Sequence, residues 1–199
     1  MKIVGITYYD GTENVVLKSD SSMLVNRKPL FVPERIHALA CLPCWVLRVS
    51  RLGKCIAPRF ASRYYDAVAP GADFFGADVL AEAKREGKPW TEAIAFEGSL
   101  AIGEWEGVSD QQSAISNQQS AVSSWRVERE GESIEQMTWD TEGLQQLFDN
   151  ALSRASELMT IRQGDLIYVA REQEPWLLQA EDILRCSQGE KETLYCKIK

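Results

Sequence analysis

The chain has 199 residues, enough for one hydrophobic core, and its 45% hydrophobic and 26% charged content is that of an ordinary soluble globular protein. A net charge of −7 is the wrong sign for a nucleic-acid or anionic-membrane surface, both of which need a basic footprint. No run reaches the ~18 apolar residues that cross a bilayer. The opening Met-Lys-Ile-Val-Gly-Ile-Thr-Tyr-Tyr lacks the design of a secretion signal, so a cytoplasmic protein is expected.

Met1–Tyr9 and Asn14–Lys18 read as a hairpin around Asp10-Gly11-Thr12. Trp45–Val49 and Lys54–Ala57 read as a second pair of strands around Arg51-Leu52-Gly53. Arg59–Val68 and Ala77–Glu86 have helical character, the latter stopped by Gly87 and Pro89. Ala93–Phe96 and Leu100–Trp105 return to strand character. Residues 111–124 hold two copies of a seven-residue unit, Gln-Gln-Ser-Ala-Ile-Ser-Asn and Gln-Gln-Ser-Ala-Val-Ser-Ser. Two copies are too few for a solenoid and too polar for a core, so 109–124 is expected to be a flexible loop within a single domain spanning 1–199. A partner-binding element is the other reading of that segment.

A hairpin follows, Arg126–Glu130 with Ser133–Thr138 around Gly131, and then the best helical pattern in the chain. Leu144, Leu147, Phe148, Ala151, Leu152, Ala155 and Leu158 share one face at 3–4 spacing. Asp140 or Thr141 can cap it. The end is strand-rich again, with Asp165–Ala170, Ile183–Cys186 and Leu194–Ile198. Many strands that do not alternate with helices indicate an antiparallel or mixed β architecture, an α+β fold that is mainly β.

Five cysteines (Cys41, Cys44, Cys55, Cys186, Cys196) form an odd set in a chain too large to need staples, and read as reduced thiols. Cys41-Leu42-Pro43-Cys44 is a C-x-x-C beside a strand, where no helix N-terminus would lower a thiol pKa for redox work. With the chain's one histidine, His37, and with Cys55, the pair could supply four zinc ligands. Buried or half-buried thiols are the plainer reading, and zinc and redox chemistry stay open. Pro43 within this run argues for an edge or bulged strand.

From Arg48 to Trp105 the chain carries V-S-R-L-G-K, then S-R-Y-Y-D-A-V-A-P-G-A-D-F-F-G-A-D, then R-E-G-K-P-W-T-E-A-I-A-F-E-G-S-L-A-I-G-E-W. This framework resembles the fumarylacetoacetate hydrolase family, in particular its short single-domain bacterial members. A second patch, Met159-Thr-Ile-Arg-Gln-Gly-Asp-Leu-Ile-Tyr168, and the Ile198-Lys199 ending agree with it. The resemblance implies a mixed β-sandwich roll with a few short helices outside, and a homodimer.

The resemblance also implies a divalent cation, Mg²⁺ or Mn²⁺, held by two glutamates of an E-x-E triplet and a later aspartate. That cation would stabilise the enolate formed when a C–C bond of a 2-oxo acid breaks. Counted back without a gap, the triplet falls on Leu42-Pro43-Cys44, so both glutamates are absent; the aspartate falls on Asp73 and is retained. On this register, restoring Glu at 42 and 44 would rebuild a carboxylate cluster around Asp73. The family's active-site lysine falls on Ile94, an arginine near the metal on Ala77, and the T-G-T-P loop on Val169-Ala170-Arg171-Glu172. The N-terminal segment with its histidine base has no counterpart in Tyr8-Tyr9-Asp10-Gly11. Arg63, Tyr64, Tyr65, Asp78, Pro89-Trp90 and Phe96-Glu97-Gly98-Ser99 are retained and read as folding residues.

Three functions follow as expectations. The first is a catalytically degenerate member with no catalytic residue and no cofactor, binding or structural in role, with an active paralogue as one partner it could take. The second is an active Mg²⁺- or Mn²⁺-dependent hydrolase, decarboxylase or isomerase of acylpyruvate or oxaloacetate type, using a rearranged site around Asp73. The third is a small zinc-binding protein built on His37, Cys41, Cys44 and Cys55.

Overall fold

The computed structural model describes residues 1–9, 11–108, 122–139 and 143–199. The strands are β1 (Ile3–Thr7), β2 (Asn14–Lys18), β3 (Met23–Val25), β4 (Leu39–Val49), β5 (Tyr65–Gly76), β6 (Leu100–Ile102), β7 (Glu106–Gly107), β8 (Ser123–Arg129), β9 (Glu132–Trp139), β10 (Leu166–Ala170), β11 (Trp176–Leu178), β12 (Ile183–Gln188) and β13 (Lys191–Lys197). The α-helices that lie wholly within the described residues are α1 (Pro58–Ala61), α2 (Ala77–Glu86), α3 (Thr91–Ile94) and α4 (Leu144–Leu158).

Two sheets build the molecule. A nine-stranded sheet runs β2-β1-β10-β4-β5-β6-β3, with β11 also on β4 and β7 also on β5. It is mixed: β1 with β10 and β3 with β6 are parallel, the other pairs antiparallel. A second, antiparallel sheet runs β13-β12-β8-β9. The mixed β roll with short helices outside is the fold expected.

β4 and β5 are the spine of the large sheet, paired from Leu39↔Gly76 to Val49↔Tyr65. Every residue of β4 except Arg48 is buried, and every residue of β5 except Asp66. A strand covered on both faces shows no apolar–polar alternation, which is why A-V-A-P-G-A-D-F-F-G does not announce itself as β. Residues 59–68 are accordingly not a helix. Helical geometry ends at Ala61, and the chain enters β5 at Tyr65.

Three more local expectations are corrected. Lys54–Ala57 is no strand: only Gly53 makes a bridge, to Ile161, and Cys55 takes a left-handed φ of 52° that breaks extended pairing. Within Ala93–Phe96, Ala93 and Ile94 belong to α3, one short turn buried against β5. Pro43 lies in a central strand without a register shift, opposite Ala72. On its other flank β4 pairs β11 up to Cys41 and β10 from Cys44, so the proline falls in the gap where no partner needs its missing N–H.

Of the expected caps of α4, Asp140 and Thr141 lie outside the described residues, and Gly143 holds the N-cap position with φ 78° and no side-chain bond. The repeat falls largely outside them too; its last two residues, Ser123 and Ser124, are already strand in β8.

A chain of aromatic rings ties the layers together. Tyr65 meets Phe148 of α4 at 6.3 Å, Phe148 meets Trp45 of β4 at 5.8 Å, Trp45 meets Trp125 of β8 at 5.6 Å, and Trp125 meets Trp139 at 5.3 Å. Such edge and tilted ring pairs add about 0.5–1.5 kcal/mol each beyond the area they bury. Trp125 also donates its Nε1–H to the Gly71 carbonyl at 3.1 Å, which fixes the small sheet against β5.

Candidate functional site

The cross-strand register tests whether the three positions that the resemblance assigns to metal ligands lie together. Leu42 lies directly opposite Asp73 and Cys44 opposite Gly71, and residues opposite each other on antiparallel strands share a face. Leu42, Cys44 and Asp73 are each fully buried, so the ungapped sequence register brings together the three positions it singles out. Two of the three offer no oxygen. Carboxylate-rich coordination of a hard cation cannot be assembled from a leucine, a thiol and one aspartate.

Asp73 is paired with a lysine. Lys18, the last residue of β2, reaches across the sheet and places Nζ 2.6 Å from Asp73 Oδ1, with both side chains at 0% exposure. The ammonium also donates to the Ser99 carbonyl at 2.9 Å, to Ser99 Oγ at 3.1 Å and to the Phe74 carbonyl at 3.4 Å. The contact with Oδ1 is a buried, charge-assisted one. The other oxygen, Oδ2, accepts from Tyr9 at 2.9 Å and from Thr7 at 3.3 Å. Tyr9 and Tyr168 bring their hydroxyls within 3.4 Å of each other, and the Lys18 ammonium lies 5.7 Å from the Tyr168 ring centre.

Burial governs the protonation of this cluster. It lowers the Lys18 pKa, and the Asp73 carboxylate opposes that loss. It pushes both phenols, Tyr9 and Tyr168, well above their ordinary value, with the Asp73 charge adding to the effect, so the phenols remain proton donors. The Cys44 thiol is raised well above 9 by burial and then by Asp73, the opposite of what a nucleophilic cysteine needs.

Lys18, Tyr9, Thr7 and Tyr168 were not singled out as site residues by sequence reasoning, and Ser99 was read as a folding residue. A signal existed for Lys18. In Asn14-Val15-Val16-Leu17-Lys18 the lysine is in phase with Val16, which is buried, while Leu17 between them is exposed. Gly5 is the second hidden requirement: a Cβ there would stand 2.1 Å from the Tyr168 ring, so only glycine lets the ring cross β1.

The remaining candidates are scattered. Ile94 is buried in α3 and Ala77 opens α2, its N–H donating to the Ala38 carbonyl. Val169 and Ala170 are buried within β10, and Arg171 stacks on Trp139 at 4.6 Å. His37 is exposed and donates its backbone N–H to Asp78 Oδ2 at 2.9 Å, one of several backbone donors that hold Asp78 below the usual carboxylate range against the opposing effect of burial. Cys41 and Cys44, three apart on a regular strand, face opposite sides of the sheet, and Cys55 is exposed on a distant turn. Among the described residues no three His, Cys, Asp or Glu side chains converge on a metal position. The four proposed zinc ligands are therefore not brought together.

Above the cluster lies a mostly apolar groove of about 320 Å³, walled by Phe75, Ala77, Leu80, Pro175 and Leu177, with Lys84 and Glu174 among its polar residues. Tyr9 lines this groove and bonds Asp73 below, whereas Lys18 and Asp73 are absent from its walls. The charged pair is thus closed off beneath the groove.

A family model described as fumarylacetoacetate (FAA) hydrolase C-terminal matches residues 8–198. The chain belongs to this family. Fumarylpyruvate hydrolase from Pseudomonas aeruginosa, solved in complex with Mn²⁺ and pyruvate, superposes with a TM-score of 0.75 at 16% identity, covering 99% of this chain and 88% of the other. A yeast fumarylacetoacetate hydrolase family protein gives 0.74 at 18% identity, covering 99% and 92%. The 5-carboxymethyl-2-hydroxymuconate delta-isomerase from Mycobacterium smegmatis gives 0.72 at 15%, covering 99% and 78%. At such identities the likeness is one of fold. Among curated proteins none matches this sequence.

Proposed function

We propose that this chain is a catalytically degenerate member of the fumarylacetoacetate hydrolase family, with a binding or structural role in place of metal-dependent catalysis. The observation that carries this reading is the cross-strand set Leu42, Cys44 and Asp73: the fold is kept, and of the three adjacent positions that the resemblance assigns to metal ligands two carry no oxygen. A divalent cation does not fit the residues present, because the one carboxylate is engaged by Lys18, Tyr9 and Thr7. Ile94 adds no charge, and the buried thiol of Cys44 is held protonated. The third reading, a zinc protein, has no support in the placement of His37, Cys41, Cys44 and Cys55.

Self-association, or association with an active paralogue, is part of the same proposal. Val25 on the edge strand β3, 58% exposed, and Phe31 on the stretch that pairs with residues 197–199, 72% exposed, support it, since large apolar groups left in water favour a covering partner. Sedimentation of the purified chain tests this part: a dimer is expected, and a monomer at micromolar concentration would remove it.

The test of the catalytic reading is turnover. Acylpyruvates and oxaloacetate, supplied with Mg²⁺ or Mn²⁺, should disappear at the rate of a buffer control. Metal-dependent turnover that is lost on Asp73→Ala would overturn the degenerate reading and favour an enzyme with a rearranged site.

A further inference from the structure

We propose that the Lys18 ammonium is a built-in replacement for the divalent cation of this fold, so that the site is a cation site whose cation is covalently tethered. The inference rests on the degenerate reading but goes past it. Loss of ligands alone would leave Asp73 without a cation; here Lys18 supplies one.

The surroundings of Nζ are those of a cation site. Four oxygens lie within 3.4 Å: Asp73 Oδ1, the Ser99 carbonyl, Ser99 Oγ and the Phe74 carbonyl. A carboxylate with backbone carbonyls and a hydroxyl is the donor class that hard cations take. The Tyr168 ring closes a further side at 5.7 Å, a distance at which a ring face attracts positive charge.

Charge explains why the changes belong together. Three carboxylates around a dication leave one net negative charge; one carboxylate with one ammonium leaves none. An ammonium and a dication cannot share this volume, since like charges a few ångströms apart in a dry interior repel strongly. A lone Asp73 without either cation would be a buried charge unpaired. The presence of Lys18 and the absence of carboxylates at 42 and 44 are therefore two sides of one choice of cation.

This changes how the site can be restored. Register alone suggests that Leu42→Glu with Cys44→Glu rebuilds a metal centre. With Lys18 in place those glutamates meet an ammonium first, and a metal must displace a tethered competitor. Three proteins separate the cases, with Mn²⁺ alone as the probe and melting temperature as the readout: the wild-type chain, Leu42→Glu/Cys44→Glu, and the same pair with Lys18→Met.

Only the triple variant should respond, rising by about 5–10 °C at Mn²⁺ roughly 100-fold above its Kd. An equal response from the double variant, or none from the triple, overturns the replacement while leaving the degenerate reading intact. A response from the wild-type chain overturns both. If the triple variant is insoluble without metal, refolding with and without Mn²⁺ takes the place of melting: recovery with metal supports the proposal, and equal loss in both contradicts it.

A second measurement reads the cage without any glutamate. In Lys18→Ala, propylammonium matches the deleted atoms and should raise the melting temperature, whereas tetramethylammonium, too bulky to enter, should not. An equal effect of the two ions, or none from either, overturns the proposal.

Discussion

The energetics of the Lys18 and Asp73 side chains follow from their complete burial. Removing one partner of a buried pair strands the other charge, so Lys18→Ala should lower stability by about 3–5 kcal/mol. Replacing both with apolar groups removes the desolvation penalty together with the attraction. Lys18→Met/Asp73→Leu should therefore unfold in urea within about 1 kcal/mol of wild type, or above it. Equal large losses in the single and double variants would show that the pair is held by packing and not by charge. Gly5 supplies a second prediction for single side chains. A methyl group at position 5 would stand 2.1 Å from the Tyr168 ring, so Gly5→Ala should cost at least ~2 kcal/mol, and Gly5→Ala/Tyr168→Leu should recover most of it. Additive losses in the double variant would contradict the contact.

Thiol chemistry divides by structural element. β4 buries Cys41 and Cys44, and β12 and β13 bury Cys186 and Cys196, with burial raising all four thiols, the last two to about 12. Cys55 is exposed on the turn after Gly53. Native protein should therefore react with a thiol reagent at one cysteine in the fast phase, all five reacting in denaturant. Fast labelling that survives Cys55→Ser would show that β4 or the small sheet opens readily.

The same elements show what the sequence could and could not reveal. The amphipathic pattern of α4 and the alternation of β8 are legible because one face of each is buried and the other is not, and the hairpins β1–β2 and β8–β9 are legible from their turn glycines, Gly11 and Gly131. β5 is not legible, because burial on both faces erases its period. Pro43 misleads because the gap between β10 and β11 that accommodates it is set by residues more than 120 positions away. Of the site, the positions 42, 44 and 73 are readable from spacing within one framework. Lys18 is not, because it comes from a strand outside that framework and pairs with Asp73 only after the sheet closes.

For the whole molecule, acid stability should depend on the junction between the N-terminus and β10. Asp165 has a side chain 6% exposed and accepts from the Lys2 backbone N–H at 3.0 Å, from the Lys2 ammonium, and from the Arg162 N–H at 2.8 Å. Burial pushes its carboxyl up, but these donors outweigh it and hold the pKa below its ordinary value. A depressed folded pKa means stabilisation that is complete above the unfolded value of about 3.9 and lost as pH falls through the folded one. Asp165→Asn should thus be less stable than wild type at neutral pH, with the gap closing below about pH 4. A gap constant from pH 7 to pH 2 would mean the carboxylate's charge contributes nothing.

On the proposal that Lys18 takes the place of a divalent cation, the chain should be indifferent to added metal, and direct Mn²⁺ binding to the unaltered chain tests this most simply. With metal-stripped protein in excess, the electron-paramagnetic signal of added Mn²⁺ should stay that of the free ion, both in the wild-type chain and in Asp73→Asn. Binding of one Mn²⁺ per wild-type chain, abolished by Asp73→Asn, would contradict the account.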